Sequence, residues 1–537
     1  MDKWRSKKFA QKQSGYLSFL LIYTSFTLLA YQWPLFSVVF DTLNFTSGNN
    51  WINILAVLVI QICLILFLLS ILSLFGTFIL KIVSTLLLIT NSAALYFMIE
   101  YNIEIDRSMI ENILNTNPSE TSQFFDLKLM LFIFFLGIFP ALFFMSFKFR
   151  LPNIFKRILI SGALCVQLLA VTFLLSSTWL WFDANASAFG SRVLPWSYLV
   201  NTLRYNDKRI ESGRIVAKLP TGTFKKLDKA NINTRQIVIL VIGESARAMN
   251  FSWYGYQKDT NIYTRKAGFV PLDSSETCAT YTRASLECIL SVNGRDALDF
   301  EKTENLLSYL SRMGIKTIVR RNNTGLPNVK VNLFQSASDL YELCVAPGCI
   351  ETELDEILLA GFEDLITNED SIRTFITFHL SGSHGPRYNQ KYRKEFEVFT
   401  PVCNDVRLKK CDDETLKNAY DNSLLYTDHL LATIAEIASK QKNAEVLILY
   451  TSDHGESLGE YNLYLHGAPK SVAPKEQLMV PFLLWMNDLY SNRIKSTQNV
   501  SPNYSIPAQD AIFHTVLGVF GINDGPYDAS RDIFAGH

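Results

Sequence analysis

Between Pro34 and Leu80 the chain contains neither lysine nor arginine, and Asp41 is its only charged side chain there. A stretch so poor in charge does not cover a water-facing surface, so it excludes an all-soluble protein. No C-x-x-C spacing occurs among the eight cysteines, which weakens a cysteine-rich zinc cluster. Outside the apolar first third there is no basic stripe with interleaved aromatics, and the formal net charge is zero, so nothing points to nucleic acid. Histidine is scarce at seven residues, and the setting of each one therefore matters.

What is present divides in two. Of the 537 residues, 49% are apolar, and these crowd into the first 180 or so positions, while the remainder reads as a soluble domain. Five stretches are each long enough for a helix across a hydrocarbon core of about 30 Å: Gly15 to Trp33, Ile52 to Leu74, Phe78 to Met98, Leu129 to Phe147 and Ile158 to Leu175. The first is too long for a signal-peptide core and lacks a small-residue exit, so it is expected to stay as an anchor. Lys3, Arg5, Lys7, Lys8 and Lys12 precede it, and Lys148, Arg150, Lys156 and Arg157 mark the turn between spans four and five. Basic flanks stay on the cytoplasmic side. The N-terminus is therefore expected inside, and everything after about Leu175 outside, with the mildly amphipathic segment Asn102 to Phe125 also facing out. The organisation expected is a five-span membrane domain over 1–178, a helical connector over 179–232 and an α/β domain over 233–537.

Cys63 and Cys165 lie inside spans, whereas the other six cysteines form three close pairs: Cys278 with Cys288, Cys344 with Cys349, and Cys403 with Cys411. Local pairing of that kind reads as disulfides in an oxidising compartment.

From Thr234 short apolar runs alternate with longer mixed segments, the pattern of parallel strands with crossover helices. Three runs read as buried strands: Gln236 to Ile242, Phe375 to Leu380 and Val446 to Tyr450. They lead into Gly243-Glu244-Ser245, Ser381-Gly382-Ser383-His384-Gly385 and Thr451-Ser452-Asp453-His454-Gly455. Ligands of open parallel sheets sit beyond the carboxyl ends of the strands, so Glu244, His384, Asp453 and His454 are expected at one crevice. Carboxylate and imidazole donors together suit zinc or manganese, and such an ion activates a hydroxyl as nucleophile. Hydroxyls are at hand between Cys278 and Cys288, at Thr280, Thr282 and Ser285, ahead of helix-forming residues whose N-terminus favours phosphate. His379, His429, His514 and His537 have no such Gly-flanked turn and read as structural.

Gly243-Glu244-Ser245, the Cys278 to Cys288 loop, Ser383-His384-Gly385-Pro386, Ser452-Asp453-His454-Gly455 and Leu465-His466-Gly467-Ala468-Pro469 resemble, in this order, the lipid A phosphoethanolamine transferases. This family of the alkaline phosphatase-like superfamily includes the mobile colistin-resistance enzymes. The likeness extends over the whole chain, spans and cysteine pairs included. It implies Thr282 as the nucleophile and Glu244, Thr282, Asp453 and His454 as zinc ligands. His384 and His466 match histidines that contact substrate phosphate or a second zinc, and Thr280 and Thr324 match positions facing substrate. Asn112 and Thr116 resemble a polar pair near the donor head group. Arg283 stands where many members have alanine, which leaves it either an acceptor-phosphate ligand or an exposed helix residue. The lysine that usually follows the Asn322-Asn323-Thr324-Gly325 turn is displaced here to Lys330. The resemblance further implies phosphatidylethanolamine as donor, lipopolysaccharide, most simply a lipid A phosphate, as acceptor, and a monomer among lipids of a bacterial inner membrane with its catalytic domain in the periplasm. Transfer to Kdo or heptose of the core, or phosphoglycerol transfer, are the alternatives. A sulfatase is disfavoured because the residues at Thr282 to Leu286 do not spell C/S-x-P-x-R.

Overall fold

A computed structural model describes residues 2–42, 50–115, 121–122, 124–174, 181–182, 185–212, 216–225, 234–299, 302–341, 354–367, 371–497 and 505–535. Thr116, His537 and the pair Cys344 and Cys349 lie outside them. The chain forms two compact units, Met1–Ile110 with Phe125–Tyr205, and Glu111–Phe124 with Asn206–His537, which divide the segment 179–232 between them.

The first unit is helical. Trp51–Leu74, Thr77–Tyr101, Leu127–Ser146 and Ile154–Phe173 are long and apolar enough to cross a membrane, and Gly15–Tyr31 with Trp33–Phe40 makes a fifth if the bent pair is one span. The bend of 58° falls at Gln32. Pro34 explains it, because a proline has no N–H for the preceding turn and its ring clashes with that turn's carbonyl. Continuous apolar composition gave no warning of this break. The fourth span contains a π-helical turn at Ile133–Ile138. Inside the unit Phe19, Tyr23 and Phe144 pack ring against ring, with centroids of 5.7 Å for Phe19–Phe144 and 5.0 Å for Tyr23–Phe144. A short helix, Arg107–Asn115, follows the third span.

The second unit is built on a seven-stranded sheet of β1 (Arg235–Gly243), β2 (Val270–Glu276), β3 (Lys316–Arg321), β4 (Leu333–Ser336), β5 (Arg373–His379), β6 (Ala444–Ser452) and β9 (Met479–Met486), in the order β2-β9-β6-β1-β5-β3-β4. A separate hairpin pairs β7 (Ser457–Leu458) with β8 (Tyr464–Leu465). Strands β6, β1, β5, β3 and β4 run parallel, while β9 is antiparallel to β6 and β2 to β9. The parallel strands are apolar almost without alternation because both faces of such a sheet are covered. Every residue of β6 and all but the first of β1 are buried.

Register then aligns the strand ends. Gly243 pairs with Ser452 and Ile242 with His379, so the segments starting at Glu244, Asp453 and Leu380 leave the sheet at one edge. Helix Thr282–Ile289 is fixed above this edge by Leu286 and Ile289, which join Val238, Leu240 and Ile242 and the C-terminal helix residues Ile512, Phe513 and Val516 in one core. Burying a side chain of this size contributes about 1.5–3 kcal/mol. Sequence spacing thus becomes position: the helix cannot slide without exposing Leu286 and Ile289.

Candidate active site and metal centre

Four of the expected residues meet beyond the sheet edge. The Thr282 hydroxyl lies 3.1 Å from Glu244 Oε2, to which it donates, and 3.4 Å from His454 Nε2. That nitrogen is in turn 3.3 Å from Glu244 Oε1 and 3.3 Å from Asp453 Oδ2. Thr282 is the first residue of its helix, so its Oγ sits at the end where backbone N–H groups are unpaired and anions are stabilised. The two other aliphatic hydroxyls of the stapled loop are committed elsewhere: Thr280 donates to the Ala468 carbonyl at 2.6 Å and Ser285 to that of Ala279 at 3.0 Å.

The donor set fits a divalent cation. His454 Nδ1 is 2.9 Å from the Gly455 carbonyl, which only accepts, so Nδ1 carries the proton and Nε2 presents its lone pair. A lone pair between two carboxylate oxygens needs a proton or a metal ion among them. Asp453 Oδ2 is moreover a buried oxygen with no hydrogen-bond donor among the described residues. Ligand atoms of Glu244, His454 and His466 all fall within 4.8 Å of one another.

Burial works against every charge here. Desolvation, reinforced by neighbouring Asp453, holds the Glu244 carboxyl far above its ordinary range, and desolvation lifts Asp453 to about 6. The same cause keeps the His384 and His466 imidazoles neutral, well below their usual value.

His384 and His466 stand next to this cluster with ring centroids 5.1 Å apart, and His466 is 4.3 Å from His454. His466 Nδ1 is 2.7 Å from Glu456 Oε2, and Glu456 Oε1 accepts from the Tyr388 hydroxyl at 2.6 Å. Glu456, fully buried and pushed up to about 8 by desolvation, had not been singled out by motif. It directly follows the Asp453-His454-Gly455 turn, which was the available signal. Asn323 was missed in the same way. Its amide donates to Glu244 Oε2 at 2.6 Å, whereas the neighbouring Thr324 uses its backbone N–H on Asn323 Oδ1.

Arg283 turns along its helix, with Nε 3.7 Å from Glu287 Oε1. Asn112 is half-buried on Arg107–Asn115. Lys330 is exposed, with its N–H on Ser308 Oγ. The disulfides Cys278–Cys288 and Cys403–Cys411 are both formed. His429 packs against the rings of Tyr263 and Phe396, His514 bridges Val292 and Asp528, and His379 is wholly buried.

Residues 236–522 match the sequence profile described as Sulfatase, and residues 61–210 match that of Phosphoethanolamine transferase EptA/EptB. Phosphoethanolamine transferase EptA of Helicobacter pylori is 35% identical over 508 residues, 93% of this chain and 92% of that one. The chain belongs to the phosphoethanolamine transferase family. Phosphatidylethanolamine transferase Mcr-1 of Escherichia coli is 31% identical, over 83% of this chain and 84% of its own. Among solved structures, the integral membrane lipooligosaccharide phosphoethanolamine transferase A of Neisseria meningitidis superimposes with a TM-score of 0.84 at 26% identity, covering 96% of this chain and 98% of that one. As a phosphoethanolamine transferase, the chain uses an alkaline phosphatase-like sheet to carry the site and a helical membrane domain beside it in sequence.

Proposed function

We propose that this phosphoethanolamine transferase takes its group from phosphatidylethanolamine, holds it on Thr282, and delivers it to a phosphate of lipid A. The observation that carries this reading is the Thr282 hydroxyl at a helix N-terminus, 3.1 Å from Glu244 Oε2 and 3.4 Å from His454 Nε2. Glu244, Asp453 and His454, with Thr282 itself, would hold a zinc ion, which when bound lowers the pKa of a hydroxyl and neutralises phosphate charge.

In the first half-reaction Thr282 Oγ forms a bond to phosphorus as the bond to the diacylglycerol oxygen breaks. The hydroxyl proton has its acceptor in Glu244 Oε2, a carboxylate that a bound cation would keep ionised against the burial that raises its pKa. The leaving alkoxide takes its proton from His466 Nε2 while Glu456 restores one at Nδ1: with Glu456 pushed up to about 8, this hydrogen-bonded pair holds one transferable proton at neutral pH. His384 orients the phosphate. A lipid A phosphate oxygen then attacks phospho-Thr282 as the bond from phosphorus to Thr282 Oγ breaks; the threonine oxygen takes back the proton held by Glu244, and the His466–Glu456 pair regains its proton from solvent. The added ethanolamine cation offsets surface negative charge and weakens binding of cationic peptides such as polymyxins.

The two disulfides and the basic flanks of the spans support a periplasmic catalytic domain on an inner-membrane anchor with a cytoplasmic N-terminus. The test is a single-turnover assay on the full-length enzyme with phosphatidylethanolamine alone. The parent is expected to release one equivalent of diacylglycerol and to carry phosphoethanolamine on the Thr282 peptide. Thr282→Ala should lose both, with a rate down by on the order of 1000-fold or more; release at the parental rate would refute the scheme.

A further inference from the structure

Two of the turns around Glu244 are fixed by a carboxylate that belongs to neither. Asp355, fully buried at the start of the short helix Asp355–Leu359, accepts from Asn322 Nδ2 at 3.0 Å and Ser381 N at 2.8 Å on Oδ1, and from Gly382 N at 2.8 Å on Oδ2. Asn322 opens the turn whose next residue, Asn323, donates its amide to Glu244 Oε2 at 2.6 Å. Ser381 and Gly382 open the turn that carries His384, and the following Ser383 N–H donates to the Glu244 carbonyl at 2.9 Å. Gly382, at φ +46°, approaches so closely that a Cβ there would lie 2.7 Å from the Glu244 carbonyl oxygen.

We propose that Asp355 is a positioning residue: its one carboxylate locks the Asn322–Asn323 turn to the Ser381–His384 turn, and through them sets the rotamer of Glu244 and the place of His384. Three donors on one buried carboxylate hold that geometry because losing any of them leaves a buried N–H unsatisfied. Asp355 touches none of Glu244, Thr282, Asp453 and His454. Its effect therefore runs through backbone and amide placement, and an error well under 1 Å in Glu244 changes how the Thr282 hydroxyl is held. This inference rests on the reading of Glu244 as the carboxylate that receives the Thr282 proton and helps hold the metal.

Asp355→Asn keeps the shape but turns an NH₂ group toward one of the three donors. In full-length enzyme, the amplitude of the diacylglycerol burst counts competent sites, and steady-state turnover is divided by it. Asp355→Asn is expected to lower turnover per site at least tenfold with the donor KM within twofold. Asp428→Asn is the comparison. That aspartate is equally buried and accepts from Tyr263 N at 2.7 Å, Thr264 N at 3.2 Å and Asn261 Nδ2 at 3.2 Å, with no bond to either turn. It should lose thermal stability and keep its turnover per site. Asn322→Ala, which cuts one arm of the lock, is expected to cost several-fold alone and to be non-additive with Asp355→Asn. Should Asp355→Asn fail to fold, Asn322→Ala decides alone, and unchanged turnover per site overturns the proposal. Parental turnover per site in Asp355→Asn overturns it as well. Absence of a burst in the parent would instead refute the phospho-threonine scheme.

Discussion

At the scale of single residues, the site is held by close approaches that leave no room for a methyl group. Gly455 N donates to the Gln477 carbonyl at 2.9 Å and Glu456 N to that of Glu476 at 2.8 Å, so the turn carrying Asp453 and His454 is zipped onto the chain at 476–477. A Cβ on Gly455 would lie 2.0 Å from the Glu476 carbonyl oxygen. Gly455→Ala is therefore expected to cost about 2–3 kcal/mol, as overpacking does, and to lower turnover at least tenfold, read by thermal melting and diacylglycerol release. The motif around Asp453 and His454 was legible in the sequence, but the reason for its glycine was not, because Glu476 is distant in the chain. The same holds for Asn323 and Glu456, whose partners become neighbours only when separate strand ends converge.

At the scale of elements, the decisive piece is the helix Thr282–Ile289, which begins inside the loop closed by Cys278–Cys288. It is tied down a second time by the C-terminal helix: Gln509 Oε1 accepts from Cys278 N at 2.9 Å, and Gln509 Nε2 donates to Thr277 Oγ1, which itself donates to the Asp453 carbonyl at 2.7 Å. Removing this disulfide as Cys278→Ala with Cys288→Ala should cost about 2–4 kcal/mol and also depress turnover per site, because the loop positions the nucleophile. The Cys403→Ala, Cys411→Ala pair should show a comparable fall in melting temperature with turnover per site unchanged. Equal turnover losses for the two pairs would contradict this assignment. Element type was readable from composition, since buried parallel strands are continuously apolar. The break at Gln32 was not, because one proline in an apolar run can bend a span or end it, and packing decides which.

At the scale of the whole molecule, the two units answer to different solvents, and the buried cluster of Glu244, His454 and His466 belongs to the α/β one. Chelation should therefore lower the melting transition of the catalytic unit and abolish turnover, with zinc restoring both, while the helical circular-dichroism signal of the membrane unit stays unchanged. The pH dependence has a definite sign. Desolvation raises both Glu244 and Asp453, the latter to about 6, so as pH falls each carboxyl comes to keep a proton that an incoming cation must displace. Metal is then held more firmly at higher pH and should become increasingly labile to chelator as pH falls, measured as residual zinc after timed dialysis. The sequence by itself determined the division into an apolar, charge-poor part and an α/β part, along with the motifs whose chemistry points to phosphoryl transfer, because hydrophobic runs and strand-end motifs are local properties of the chain. It left Thr280, Thr282 and Ser285 equivalent until a family likeness was invoked. Tertiary structure separated them physically: two hydroxyls are spent on backbone carbonyls, and only the third is brought within hydrogen-bonding reach of Glu244 by the register of β1 with β6 and β5 and by a helix clamped over their ends.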